Sequence, residues 1–162
     1  MPILYACVIN RSREIVLKGK DKKYKSNFND IVKSSYLHFE KLARKHMDLD
    51  DNLTLHYIDK GSWALVAIAQ KPDVTLYEAL NFLEKLEETL TDDELGCFSN
   101  PNMIQLPDAT QRFAKYGKNV SAFIQNWNGN PTNRDKMYLV FKDLMQVKEE
   151  MLQNMDLLND RD

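Results

Sequence analysis

Cysteine is nearly absent from this 162-residue chain, which has only Cys7 and Cys97. The first stands in an apolar, strand-like run and the second in a loop. Their spacing suits neither a zinc site nor a disulfide framework, so a reducing compartment is expected. Histidine is scarce too. Of the three, His38 and His46 share roughly one face of an expected helix but lack metal-ligand spacing, and His56 falls in an expected strand. All are read as surface histidines, with no metal. No segment reaches the roughly 18 to 20 apolar residues of a membrane span. The N-terminal run Met1-Pro2-Ile3-Leu4-Tyr5-Ala6-Cys7-Val8-Ile9 has no basic stretch before it and is too short for a signal peptide. The chain as given is therefore expected to be soluble. Charge of one sign is also missing. With 22 Lys and Arg against 24 Asp and Glu, the net charge is -2. That balance argues against nucleic-acid binding as the main activity, which calls for a basic face, and against a disordered acidic tail protein. There is no glycine-rich phosphate loop, no nucleophile elbow and no catalytic constellation, so the reading is of a non-enzyme without cofactor. Asn119-Val120-Ser121 matches a glycosylation acceptor and is read as chance in a cytosolic protein.

What is present is enough apolar material for a core, at 43% hydrophobic residues, and room for one domain with a short extension. Residues 3–9 read as a strand buried on both faces. After the turn Asn10-Arg11-Ser12, Glu14 to Leu17 read as its hairpin partner. Lys18 to Lys25 hold five lysines against one aspartate and read as a loop. Ser26 or Asn27 can cap a helix. Phe28, Ile31, Ser35, Phe39 and Leu42 then recur at helical spacing, which predicts one helix running to about His46. Leu53, Leu55 and Tyr57 alternate with polar neighbours and Trp63 to Ala69 is β-prone, giving a second hairpin turned at Lys60-Gly61. Thr75 and Glu78 form a capping box that opens a helix with Leu76, Leu80, Leu83, Leu86 and Leu90 on its inner face. Asp92-Asp93-Glu94 is read as its solvated end. A second box, Asp108 to Gln111, opens a helix with Phe113, Tyr116, Val120, Phe123 and Trp127 inward. Asn128-Gly129-Asn130-Pro131 stops it. Trp63 and Trp127 are read as packing residues. Two hairpins separated by a helix predict an α+β domain, an antiparallel-rich sheet of four to five strands flanked by helices.

Beyond the linker, Met137, Val140, Leu144, Val147, Met151, Asn154, Leu158 and Arg161 are separated by 3, 4, 3, 4, 3, 4 and 3 residues. This is an unbroken coiled-coil seam with charged residues between its positions. Asn154 and Arg161 lie on the seam itself. A seam polar residue weakens the coil but sets register and partner number, and a seam guanidinium requires acceptors from the partner helices. Periodicity alone equally allows Arg161 to be a solvated helix end.

Val147, Met151, Asn154, Asp156, Leu158 and Arg161 stand in the pattern of the synaptobrevin motif, and this segment resembles the front half of an R-SNARE. The order of elements in residues 1–127, the apolar strand at the very start, and Ala79-Leu80-Asn81-Phe82-Leu83 resemble a longin domain of the vesicle-associated membrane protein type. The resemblance implies a longin (profilin-like) domain over 1–127, a linker over 128–136, and the N-terminal half of a SNARE motif over 137–162. It implies that Arg161 is the central ionic-layer arginine, meeting glutamines of Q-SNARE helices to drive membrane fusion. The longin domain would fold back on the SNARE segment or bind trafficking adaptors. It places the full protein on the cytoplasmic face of a vesicle or endomembrane, held by a C-terminal anchor that this chain lacks. One departure stands out: longin domains usually have five strands, and the third is not evident here, the first helix being extended in its place. That puts in doubt the family's groove between the first helix and the third strand. The alternative reading is a longin-fold adaptor or tethering subunit without fusogenic activity. Separately, Lys20, Lys22, Lys23 and Lys25, with Lys18, are candidates for contact with anionic lipid, against a plain solvated loop.

Overall fold

The computed structural model describes residues 3–24, 27–71, 74, 76–91 and 104–129. Five strands form one antiparallel sheet in the order β2-β1-β5-β4-β3: β1 Ile3–Asn10, β2 Ile15–Lys20, β3 Arg44–Asp48, β4 Leu53–Asp59 and β5 Trp63–Gln70. The helices are α1 Asn29–Tyr36, α2 Leu76–Thr91, α3 Ala109–Phe113 and α4 Gly117–Gly129, with a 3-10 turn at Ala114–Tyr116. The fold class is α+β, with helices on both faces of the sheet.

The two central strands follow from their sequence. Every residue of β1 is buried, because β1 lies between β2 and β5 and is covered above and below. Leu65, Ala67 and Ala69 of β5 face one way, into a core with Phe82, Leu83, Leu86 and Leu90 of α2 and Val120 and Ile124 of α4. Ala64, Val66 and Ile68 face the other way, toward Phe28 and Val32 at α1. Each large side chain buried in these layers contributes roughly 1.5–3 kcal/mol. Of the leucine face expected of α2, Leu83, Leu86 and Leu90 are buried, Leu80 packs partly buried against them and Leu76 is only half-buried, while Trp63 is buried, as expected.

The first helix ends sooner than its periodicity predicts. It stops at Tyr36, and Arg44–Asp48 is the third strand, paired with β4 from Arg44↔Ile58 to Asp48↔Thr54. Phe39 is drawn out of helical register by stacking face to face on Tyr57, ring centroids 3.9 Å apart, while Glu40 N donates to Tyr57 Oη. Leu42 is 75% exposed at a φ of 59°, and Ile31 is exposed as well, so neither belongs to an inward stripe. Asp59 Oδ1 holds this reversal, accepting from Leu42 N at 3.1 Å and from Gly61 N at 2.7 Å. The five-strand count removes the departure noted above. It also corrects the histidines: His38 lies in the turn after α1, His46 on β3, and His56 is buried on β4.

Three smaller corrections follow. β2 runs on to Lys20, so Lys18 and Lys20 are strand residues and not loop. Asp108 precedes α3 without a side-chain capping bond, its Oδ2 accepting instead from Arg112 Nε at 2.7 Å. The single helix expected after it is broken at the 3-10 turn, which leaves Tyr116 only partly buried. At α1, Asn27 Oδ1 accepts from Asn29 N at 3.0 Å, one residue before the cap position. Ser26, Thr75 and Cys97 lie outside the described residues.

Candidate functional site

The edge of the sheet at β2 is where chemistry gathers. Alternation along β2 turns Leu17 and Gly19 toward α4 and leaves Lys18 and Lys20 exposed. Gly19 is needed there: a Cβ would stand 2.5 Å from Ser121 N. This close approach lets α4 cover the open edge, and Lys20 N donates to Ser121 Oγ at 3.2 Å. Two residues on, Asp21 is buried. Its Oδ1 accepts from Lys23 N at 2.9 Å, and its Oδ2 accepts from Asn128 Nδ2 at 3.1 Å. Asn128 also donates to Ile3 O at 2.8 Å and accepts from Ile3 N at 3.1 Å, so the end of α4 is tied to the first strand. The turn Asp21–Tyr24 is thereby fixed, with Tyr24 stacked on Phe28 and Phe28 against Tyr5.

Between this edge, the start of α1 and the outer side of α4 lies a cleft of about 1010 Å³. Lys18, Lys20 and Lys22 line it from the strand and turn, Lys118 and Gln125 from α4, and Phe28 from below. A second recess of about 640 Å³ adjoins it through Lys18, with Lys33 but also Glu14 and Asp108 on its walls. Of the lysines named for lipid contact, the structure brings Lys20 and Lys22 into the cleft. Lys23 is exposed and does not line it, and Lys25 lies outside the described residues. Lys118, Ser121 and Gln125 join from about a hundred positions along the chain, a link no local pattern carries.

All the proposed SNARE-layer residues, Met137, Val140, Leu144, Val147, Met151, Asn154, Leu158 and Arg161, lie outside the described residues. The histidine pair is a separate feature. His46 and His56 sit opposite each other on β3 and β4, ring centroids 5.8 Å apart. Among the described residues, neither ring nitrogen of His56 has a hydrogen-bond partner. Burial, aided by His46 and weakly opposed by Asp48, lowers His56 to about 4. Burial likewise pushes the Cys7 thiol up to about 12, which leaves it a protonated, enclosed core residue. Among the described residues no group of His, Cys, Asp or Glu is placed to hold a metal ion. No helix among them is long and apolar enough to cross a membrane.

Compared with protein-family models and with curated protein sequences, the chain matches none.

Proposed function

We propose that this chain is an R-SNARE with an N-terminal longin domain, acting in vesicle-mediated transport. The observation that carries the reading is the register of Val147, Met151, Asn154, Leu158 and Arg161 on one unbroken seam. A charged residue in line with apolar ones has a use only if partner helices supply acceptors for it. The α+β architecture agrees with it: a five-stranded antiparallel sheet with helices on both faces is compatible with a longin-like domain. A single short helix is marginal in water, so the segment from about residue 130 would order on pairing with Q-SNARE helices or on docking to the folded domain.

The test is complex formation with three purified Q-SNARE helices, followed by far-ultraviolet circular dichroism. The 162-residue chain should give more helix in the mixture than the sum of the separate components. Met151→Asp with Leu158→Asp should remove that gain, because both place a carboxylate in an apolar layer. A mixture with no added helicity sinks the SNARE reading and favours an adaptor or tethering subunit built on the same domain.

A further inference from the structure

We infer that the cleft at the β2 edge is a binding site for a polyphosphorylated polyol, the chemistry of an inositol phosphate. The inference goes beyond the SNARE reading and does not depend on it, since it uses only residues 5 to 126.

Four lysines line the cleft, Lys18, Lys20, Lys22 and Lys118, and among the described residues no aspartate or glutamate does. Among the described residues none of the four forms an ion pair, whereas elsewhere Arg44 pairs with Glu84 and Lys60 with Glu87. The neutral groups are turned the same way by bonds already made. Ser121 Oγ accepts from Lys20 N, which leaves its O–H to donate. Asn29 Oδ1 accepts from Tyr5 Oη, which leaves its amide N–H groups to donate. Gln125 Nε2 is a buried donor without an acceptor among the described residues, on a side chain that lines the cleft. A buried donor left unpaired costs about 1–3 kcal/mol, and a turn of this side chain toward the cleft would bring the donor to an acceptor there. The four lysines with the Ser121 hydroxyl and the Asn29 amide give the cleft cations and donors, which an oxyanion requires.

Geometry points to more than one phosphate. Lys18 and Lys20 are two residues apart on the same side of a strand, about 6.8 Å along it. They stand on the strand wall while Lys118 approaches from α4, so charge meets a ligand from two sides. A volume of about 1010 Å³ is far larger than a single phosphate needs. Phe28, nearly buried between Tyr5 and Tyr24, adds an apolar edge to the lining.

The same headgroup chemistry comes from a soluble inositol phosphate or from a membrane lipid, and two arms separate them. In the first, inositol 1,4,5-trisphosphate is titrated into the 162-residue chain and followed by backbone amide chemical shifts. Saturable shifts centred on Lys18, Lys20, Ser121 and Gln125 are expected. Lys20→Ala and Lys118→Ala should each weaken binding by about tenfold, the loss of one charge-assisted contact. Lys23→Ala removes a nearby charge outside the cleft and should change binding less than about twofold. Unchanged amide spectra away from the substituted residue show that the variants fold. In the second arm, flotation is compared between vesicles of phosphatidylinositol 4,5-bisphosphate and phosphatidylserine vesicles of equal charge. Preference for the former assigns the lipid source, and soluble binding without such preference assigns the soluble one. Shifts that never saturate, or an equal loss from Lys23→Ala and Lys20→Ala, would mean diffuse charge attraction and overturn the site.

Discussion

Asn10 shows how much one side chain can carry. It is buried at the end of β1, and its Oδ1 accepts from Ser12 N at 3.0 Å and Glu14 N at 2.9 Å. Its Nδ2 donates to Ile104 O at 3.0 Å, tying the hairpin to the chain ahead of α3. The turn it closes holds Arg13 at a φ of 64°. Asn10→Ala strands three buried or half-buried backbone groups and should cost about 2–4 kcal/mol in urea unfolding. A loss under about 0.5 kcal/mol would mean water replaces all three. The turn itself is legible in Asn10-Arg11-Ser12, but the bond to Ile104 is not, because it spans 94 positions. His56 is the second case. Its folded value of about 4 lies below the ordinary 6.5, so the fold favours the neutral ring. Its contribution is whole above pH 6.5, falls as the unfolded chain alone takes up the proton, and is gone near pH 4. The loss should approach roughly 3 kcal/mol, and His56→Leu should flatten that limb of the stability–pH curve. An unchanged limb in the variant would assign the acid sensitivity to other groups.

At the scale of elements, the α1–β3 region and the β2–α4 contact carry the lessons. Arg44-Lys45-His46-Met47-Asp48 has no apolar alternation, since β3 is an edge strand with only Met47 half-buried against the α1-side core. Charge on an edge strand hinders pairing with other chains, and the same charge hides the strand from a pattern search. Phe39 supplied a false helical beat because, from the turn after α1, it is partly buried by stacking on Tyr57 of β4. The β2–α4 contact depends on Gly19. Gly19→Ala would place a methyl 2.5 Å from Ser121 N and 2.8 Å from Val120 C, backbone that cannot swing aside. It should destabilise by about 1–3 kcal/mol, and shift Lys20 and Ser121 amide signals as α4 is pushed off the edge. A neutral effect on both would show that the helix slides at no cost.

For the whole molecule, burial is graded across the sheet. β1 and β5 are covered on both faces and pair with each other from Ile3↔Ala69 to Asn10↔Trp63. β3 is largely exposed and pairs on one side only. Hydrogen exchange should therefore separate them. Central amides such as those of Val8 and Val66 should exchange only through global unfolding. Those of β3 that bond to β4 should exchange by local opening, at least about tenfold faster. Equal rates would mean that the sheet opens as one unit.

Local pattern was enough for the α+β class, both hairpins, most of the leucine face of α2, the burial of Trp63 and the end of the last described helix near Asn128. These rest on local periodicity and turn chemistry, which neighbouring residues express without outside help. The heptad seam with Asn154 and Arg161 is likewise a property of sequence. Long-range packing makes Arg44–Asp48 a strand, encloses His56, and brings Lys18, Lys20 and Lys22 to Lys118 and Gln125 around one cleft. The reason is physical: an edge strand is made by its partner strand, burial by what packs above it, and a cleft by residues a hundred positions apart.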